Sequence, residues 1–392
     1  MQLPSPVHKA IELLNLAGWE AYVVGGCVRD SMFGRQPDDW DVTTSALPSQ
    51  MCEVFSNYRT IETGIQHGTL TVIIDEMPLE ITTFRVDGAY SDGRHPDAVT
   101  FSKTLVEDLA RRDFTINAMA YHPLHGLVDP FDGQTDLSAE MIRCVGNPKQ
   151  RFREDALRIM RALRFAAELG FEIERDTEVA LRELASSVSL VSTERITTEL
   201  CKLICGRFAG AVLDKYADVL AAGVCDFSYN DVNELLSLVP AQVIPRLAAL
   251  FWDNHASSKD VARILRGWRL DNRTVQLVSL LVDCKGMPCV TDTHLLKLLN
   301  RLDVDLAWIY LALERADEDV KERLKRKLSE ACCYKLSMLD IKGDDLLEVG
   351  IPNGPVVGYV LNALLEAVMN GDCLNQKTEL LRFAAHIKTP VQ

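Results

Sequence analysis

Two aspartates, Asp39 and Asp41, stand one residue apart in Pro37-Asp38-Asp39-Trp40-Asp41-Val42-Thr43-Thr44. Alternate side chains of a strand leave the same face, so these two carboxylates would share one, their Cα atoms roughly 6.5–7 Å apart. Hard oxygen ligands at that spacing suit divalent cations about 3.5–4 Å apart, which activate an attacking hydroxyl and steady a departing pyrophosphate. Such a pair also occurs on solvated turns, and Asp38 beside it fits that simpler reading. Farther along, Pro78-Leu79-Glu80-Ile81-Thr82-Thr83-Phe84-Arg85 sets one acid inside an apolar strand. A carboxylate there is costly unless paired or bound to a cation, which makes Glu80 a candidate third acid; the alternative is an edge strand with Glu80 facing solvent.

Those acids need elements to carry them. Residues 19–24, Trp-Glu-Ala-Tyr-Val-Val, read as a buried strand, and Gly25-Gly26 ends it where the backbone can approach a ligand without Cβ obstruction. Val28 to Phe33 read as a helix whose positive end suits a triphosphate, with Arg29 adding a fixed charge. Between 151 and 164 stand five arginines, Arg151, Arg153, Arg158, Arg161 and Arg164. Helical spacing there puts Ala156, Ile159, Met160, Leu163 and Ala167 on an apolar stripe and Arg151, Glu154, Asp155, Arg158 and Arg161 on the opposite arc. Taken alone, that arc is a solvated face laced with ion pairs.

Four motifs in order change that reading: Gly25-Gly26-Cys27-Val28-Arg29-Asp30, the Asp39/Asp41 pair, Arg111-Arg112-Asp113-Phe114-Thr115-Ile116-Asn117-Ala118-Met119, and Glu154-Asp155-Ala156-Leu157-Arg158. The chain resembles the bacterial class II CCA-adding enzymes, tRNA nucleotidyltransferases of the polymerase-β-like superfamily, most sharply over residues 20–200. The resemblance implies an α+β fold: a polymerase-β-like nucleotidyltransferase head with a mixed sheet and helices at 1–145, then an all-α neck at 146–205, body at 206–330 and tail at 331–392. It places Arg112 near phosphate, Asp113 and Asn117 near the ribose hydroxyls, and Arg161 beside triphosphate or base. Capping of a helix is nearly as good a reading for Asp113 alone. To Glu154, Asp155 and Arg158 the resemblance gives the reading of the incoming base. The chemistry agrees, since Arg158 donates and Asp155 accepts, matching the ring-nitrogen acceptor and exocyclic amine shared by cytosine and adenine. Uracil and guanine would set a carbonyl against the Asp155 carboxylate and leave buried polar groups unpaired.

Between Arg85 and Arg111 the sequence is dense in Gly, Asp, Ser and Pro, including Asp92, Gly93, Arg94, His95 and Pro96, which predicts a mobile loop. In the resembled family a loop at this place, here carrying Asp92 and Arg94, takes part in the switch from cytidine to adenosine addition. His95 departs from the basic pair that the family often has there.

The composition bounds the partners. With 392 residues, 47% of them hydrophobic, the chain can bury more than one core. A formal net charge of −14 argues against a general polyanion binder, so RNA contact must rest on local basic faces, with no DNA partner expected. No apolar span near 20 residues and no leader-like start is found, so neither a membrane partner nor export is expected. The 11 scattered cysteines suggest no disulfide framework, and a reducing cytoplasm follows. The second half reads as successive helices, with Arg263 and Arg266 as candidate tRNA phosphate contacts.

These readings converge on addition or repair of the 3′-terminal CCA of tRNA from CTP and ATP with two Mg²⁺ ions, gripping the acceptor stem and elbow. The alternatives are an enzyme adding only the terminal A, then a bacterial poly(A) polymerase, disfavoured by the lack of a strongly basic tail. A catalytically inactive tRNA-binding protein is the alternative from another class, and the presence of Asp39, Asp41 and Glu80 weighs against it.

Overall fold

The computed structural model describes residues 1–87, 99–224, 232–253 and 256–387, and the chain forms two compact units, Met1–Asn233 and Glu234–Gln392. In the first unit, helix α1 (Ser5–Leu16) leads to strand β1 (Ala21–Val24), which turns at Gly25 into helix α2 (Gly26–Met32). Strand β2 (Asp41–Thr44) and helix α3 (Pro48–Val54) follow, then strands β3 (Arg59–Ile61), β4 (Thr69–Ile74) and β5 (Met77–Thr83). Strands β6 (Arg85–Asp87) and β7 (Val99–Phe101) pair with each other as an antiparallel ribbon. The expected loop with Asp92 and Arg94 falls between them, outside the described residues. Helix α4 (Leu105–Ala110), strands β8 (Ala120–His122) and β9 (Gly126–Val128) and helix α5 (Gly133–Ser138) come next.

Seven strands form one mixed sheet in the order β3-β4-β5-β2-β1-β8-β9. Only β2 and β5 run parallel; the other neighbours are antiparallel. Period-two patterning sets the faces: Leu70, Val72 and Ile74 of β4 and Leu79 and Ile81 of β5 are fully buried, while Glu80 between the last two is exposed. Helix α1 covers the sheet with Val7, Ala10, Ile11 and Leu14, a stripe at helical spacing. β5 lies inside the sheet, not at its edge.

Beyond the sheet, strand β10 (Met141–Ile142) pairs in parallel with β11 (Glu172–Ile173). Between them run helices α6 (Pro148–Glu154) and α7 (Leu157–Leu169), followed by α8 (Arg175–Glu183) and α9 (Thr193–Cys205). The expected single helix over the arginine run is therefore two. Asp155 has extended dihedrals, φ −146° and ψ 104°, and its Oδ1 accepts from the Leu157 amide at 3.1 Å. A side chain that satisfies the backbone locally competes with helix continuation, and here it wins. The apolar stripe holds: Ala156, Ile159, Met160, Leu163 and Ala167 are all buried. The opposite arc is no solvated face, because Arg158 is buried and Arg151, Glu154, Asp155 and Arg161 are half-buried.

The second unit is helical, with helices such as Val243–Trp252, Ser258–Gly267, Asn272–Asp283, Asp292–Arg301 and Val304–Leu313. Short polar breaks cap them: Ser257, Asp271 and Asp303 accept from the amides of Asp260, Thr274 and Leu306. A C-terminal cluster around Leu346, Val360, Leu364 and Leu380 forms its own core under the 16-residue helix Pro355–Asn370. Among the described residues no helix is long and apolar enough to cross a membrane.

Candidate active site

A cavity of about 430 Å³ opens in the first unit where the end of β1, the start of α2, the Arg111–Asn117 segment, α7 and α9 converge. Sheet register sets its acidic edge. Asp41 pairs across β2 with Val24 on one side and in parallel with Glu80 on the other, so its carboxylate and that of Glu80 leave the same face of the sheet. Asp39 precedes the strand instead of lying in it, but exposure still alternates through Asp39, buried Trp40 and Asp41. Asp41 keeps an accessible surface, yet surrounding protein partly desolvates its carboxyl and raises its pKa. Arg112 opposes that rise, while Glu80 and Asp39 add to it.

Gly25 adopts φ +80°, and a Cβ there would stand 3.0 Å from Arg112 Nη1 and 4.0 Å from Asp41 Oδ2. Glycine is thus required twice, for the left-handed turn and for the close approach of Arg112. Arg29, one turn into α2, is buried and held by three of its five N–H groups: Nε and Nη2 donate to Asp30 at 2.9 and 3.0 Å, and Nη1 donates to Asn117 Oδ1 at 2.7 Å.

Asp113 is a buried anchor. Its Oδ1 accepts from the Phe114 amide at 2.8 Å and from Asn117 Nδ2 at 3.2 Å, and its Oδ2 accepts from Arg161 Nε at 2.7 Å. Burial alone would raise its pKa, but the Arg161 guanidinium and these hydrogen bonds bring it down to about 2. Asp108, wholly buried on α4, likewise accepts from Arg111 Nε and Nη2, Arg112 Nη2 and the Thr43 hydroxyl, which ties β2 to two arginines that line the cavity.

At the break between α6 and α7, Arg158 Nη1 donates to Glu154 Oε2 at 2.7 Å and to the Arg151 carbonyl at 3.0 Å, and Nη2 donates to the Arg111 carbonyl at 3.0 Å. Asp155 Oδ2 accepts from Arg195 Nη2 of α9 at 2.7 Å. Arg158 and Asp155 both line the cavity as a fixed donor and a fixed acceptor, and each carboxylate oxygen keeps a further lone pair for a ligand.

The cavity is basic within an acidic protein. Among the described residues seven arginines line it (29, 111, 112, 158, 161, 164 and 195) against three acids, Asp41, Asp113 and Asp155. Three of the arginines, through Arg112 Nε, Arg164 Nε and Arg195 Nη1, carry buried N–H groups with no hydrogen-bond partner among the described residues. Buried donors of this kind are costly unless a ligand completes them, and polyanionic oxygens suit all three. Among the described residues no three carboxylate, imidazole or thiol groups close into a metal cage. The donor chemistry nonetheless fits Mg²⁺, which takes one or two carboxylates and fills its remaining positions with phosphate oxygens and water. Asp39 and Asp41, flanked by Glu80, are that kind of set.

Of the residues expected from sequence, Gly25, Gly26, Arg29, Asp41, Arg112, Asp113, Asn117, Asp155, Arg158 and Arg161 line the one cavity. Asp39 and Glu80 stand exposed beside Asp41, and Glu154 acts behind Arg158. Arg263 and Arg266 lie in the second unit, on the helix Ser258–Gly267. Besides Leu157, four lining residues escaped the reading: Arg111 and Arg164, which sit inside the quoted runs, Phe165, and Arg195. For Arg195 the sequence offers only the i,i+4 pair with Glu199, on a helix whose Ile196, Leu200 and Leu203 are buried, a pattern shared with many surface helices.

Known proteins resemble the chain over nearly its whole length. The poly A polymerase head domain family matches residues 21–143, the probable RNA and SrmB-binding site of polymerase A matches 170–218, and domain 2 of the tRNA nucleotidyltransferases matches 243–384. The CCA-adding enzyme of Leuconostoc mesenteroides is 36% identical over 392 residues, covering 98% of this chain and 97% of that protein. That of Geobacillus stearothermophilus is 37% identical over 382 residues, covering 94% of each. The crystal structure of the Bacillus stearothermophilus CCA-adding enzyme in complex with CTP superposes with a TM-score of 0.79 at 33% identity, covering 98% of both chains. With the head's mixed sheet, the arginine-lined cavity and this likeness along almost all its length, the chain belongs to the CCA-adding enzymes, a family of nucleotidyltransferases.

Proposed function

We propose that the protein adds or repairs the 3′-terminal CCA of tRNA in the cytoplasm, taking CTP and then ATP and releasing pyrophosphate at each addition. The observation that carries this reading is the wall of the cavity, where the acceptor Asp155 and the donor Arg158 stand fixed at one end of α7 and an arginine-rich surface follows beyond them. In this reading residues 1–145 are the catalytic head, 146–205 the neck that reads the base, and 206–330 and 331–392 the body and tail that hold the acceptor stem and elbow.

Arg158 and Asp155 accept bases that offer a ring-nitrogen acceptor beside an amine, and reject those that set a carbonyl against the carboxylate. Arg29 and Arg161, each locked by a carboxylate, orient the triphosphate. The RNA 3′-oxygen forms its bond to the α-phosphorus as the bond to the β-bridging oxygen breaks; the electron pair leaves with pyrophosphate and the hydroxyl proton passes to solvent. Two Mg²⁺ ions, held by Asp39 and Asp41 with Glu80 beside them, would supply charge neutralisation at the reacting phosphate.

Transcripts of tRNA ending at the discriminator base, at C and at CC, incubated with each nucleotide separately and resolved to single additions, test the proposal. C, C and then A is the expected order. Addition of A alone to the CC transcript would make the protein an A-adding enzyme, untemplated runs of A a poly(A) polymerase, and no addition a binding protein.

A further inference from the structure

Gly25 sets two opposite charges face to face. A Cβ at that position would stand 3.0 Å from Arg112 Nη1 and 4.0 Å from Asp41 Oδ2, so guanidinium and carboxylate flank the same glycine. Opposite charges at such range attract, the more so where protein partly desolvates them. A guanidinium that closed on Asp41 would take the lone pairs that a divalent cation needs. Yet among the described residues no ion pair joins the two, and Arg112 pairs instead with Asp108, its Nη2 lying 3.3 Å from Oδ2.

Asp108 is placed to hold that side chain. It is wholly buried on α4, and its Oδ1 accepts from Arg111 Nε and Nη2 at 3.0 and 2.8 Å and from the Arg85 amide at 3.4 Å. Its Oδ2 also accepts from the Thr43 hydroxyl at 3.2 Å, a donor shared with the Thr82 carbonyl at 3.1 Å. Thr43 follows Asp41 by two residues on β2 and so leaves the same face. The carboxylate is thus moored to the strand that carries Asp41. Burial would raise its pKa, but Arg111 and Arg112 hold it below the ordinary carboxylate value, and it stays an anion. Arg111, bound through two N–H groups, already answers that charge. The single, longer bond from Arg112 adds little to that balance; what it does is fix where the guanidinium points, while Arg112 Nε stays buried with no hydrogen-bond partner among the described residues.

We propose that Asp108 is a positioning residue that holds Arg112 back from Asp41, leaving the Asp41 oxygens to Mg²⁺ and the remaining Arg112 donors to the phosphates of the incoming nucleotide. This rests on the nucleotidyl-transfer reading above. Asp108 touches neither metal nor nucleotide; it acts through Arg112. Its loss should therefore weaken the hold on the cation only while Arg112 is there to take the cation's place.

Mn²⁺, which takes the same oxygen ligands as Mg²⁺, reports the site directly through the electron paramagnetic resonance of the free ion. In the full-length enzyme Asp108→Asn should raise the Mn²⁺ dissociation constant by about tenfold, and the Mg²⁺ concentration for half-maximal CTP incorporation by a like factor. Arg112→Ala alone should move Mn²⁺ affinity by less than about threefold, yet added to Asp108→Asn it should bring that affinity back to within about threefold of wild type, without restoring incorporation. Such non-additivity separates the proposal from a general loss of packing, or of one negative charge, either of which acts whether or not Arg112 is present. If Asp108→Asn does not fold, as judged by its thermal melt without metal, Thr43→Val takes its place, loosening the carboxylate from β2 with a smaller shift in the same direction. Wild-type Mn²⁺ affinity in a folded Asp108→Asn or Thr43→Val enzyme, or an equal loss with and without Arg112, would overturn the assignment. A wild-type enzyme that neither binds Mn²⁺ nor incorporates nucleotide would instead sink the nucleotidyl-transfer reading itself.

Discussion

Asp39 and Asp41 flank a buried tryptophan, and that arrangement lets an extended chain aim two carboxylates outward while anchoring itself inward. If they act by holding cations, Asp39→Asn or Asp41→Asn should lower kcat by about a thousandfold or more with tRNA affinity largely kept, because the loss is in transition-state charge. Near-normal turnover in single-turnover assays would remove the metal assignment. Asp113 makes a different claim, about pH. With its carboxyl held at about 2, below an unfolded value of about 3.9, its stabilising contribution is complete above that unfolded value and is lost as pH falls through the folded one. The stability gap between wild type and Asp113→Asn, from urea unfolding, should therefore be level from about pH 5 to 8 and narrow below about pH 4. A gap that narrows at neutral pH would show that Asp113 is not the anchor of Arg161. Residue identities of this kind were legible in the sequence wherever the chemistry demands a type at a spacing, as with Gly25, Asp41 and Arg158. Arg164 and Arg195 were not, because nothing local distinguishes an arginine that closes a cavity from one that faces water.

At the scale of elements, the two-helix break is the feature that sequence periodicity misread, and its cause lies in one side chain. Apolar spacing ran unbroken through Ala156, Ile159, Met160 and Leu163, and period alone does not register a cap inside it. Because Asp155 both caps α7 and presents a carboxylate to the cavity, two substitutions separate the roles. Asp155→Ala should cost about 1 kcal/mol through the missing cap and also relax rejection of UTP and GTP. Asp155→Asn keeps a carbonyl for the Leu157 amide, so it should spare most of that stability, yet it puts an amide donor within reach of the base and should relax rejection as well. Chemical denaturation alongside misincorporation kinetics reads both effects. Equal rate loss for all four nucleotides in both variants would make Asp155 a helix cap and nothing more. The strands fared better than the helix break: alternation identified β5 and the acid within it. Its parallel pairing with β2, which brings Glu80 beside Asp41, depends on partners 39 residues apart in the chain and is visible only in the fold.

At the scale of the whole molecule, a net charge of −14 must coexist with an RNA substrate, and in the function proposed above local basic surfaces reconcile the two. The second unit offers a candidate: a groove of about 670 Å³ between the helices Ser258–Gly267 and Asn272–Asp283, lined by Lys259, Arg266, Asn272 and Gln276 and by one acid, Asp283, which pairs with Arg301. Arg263, named beside Arg266 from sequence, is 78% exposed and pairs with Asp260 at 3.0 Å, so part of its charge is already met. No ion pair engages Lys259 or Arg266 among the described residues, which leaves these two to meet phosphate. Each phosphate that a cation neutralises releases counterions, so affinity for tRNA should fall with salt along a log–log line whose slope grows with the number of phosphates held. Replacing Lys259 and Arg266 together by alanine should flatten that slope by about one unit for each phosphate no longer neutralised, uniformly across tRNAs of different sequence, since A-form RNA offers side chains shape more than readable bases. Arg263→Ala should change it less. The affinity of the full-length protein, measured over a series of salt concentrations, decides the matter: an unchanged slope in the double variant would move the grip on tRNA away from this groove, and a weakening confined to one tRNA sequence would mean that bases, not phosphates, are being read there.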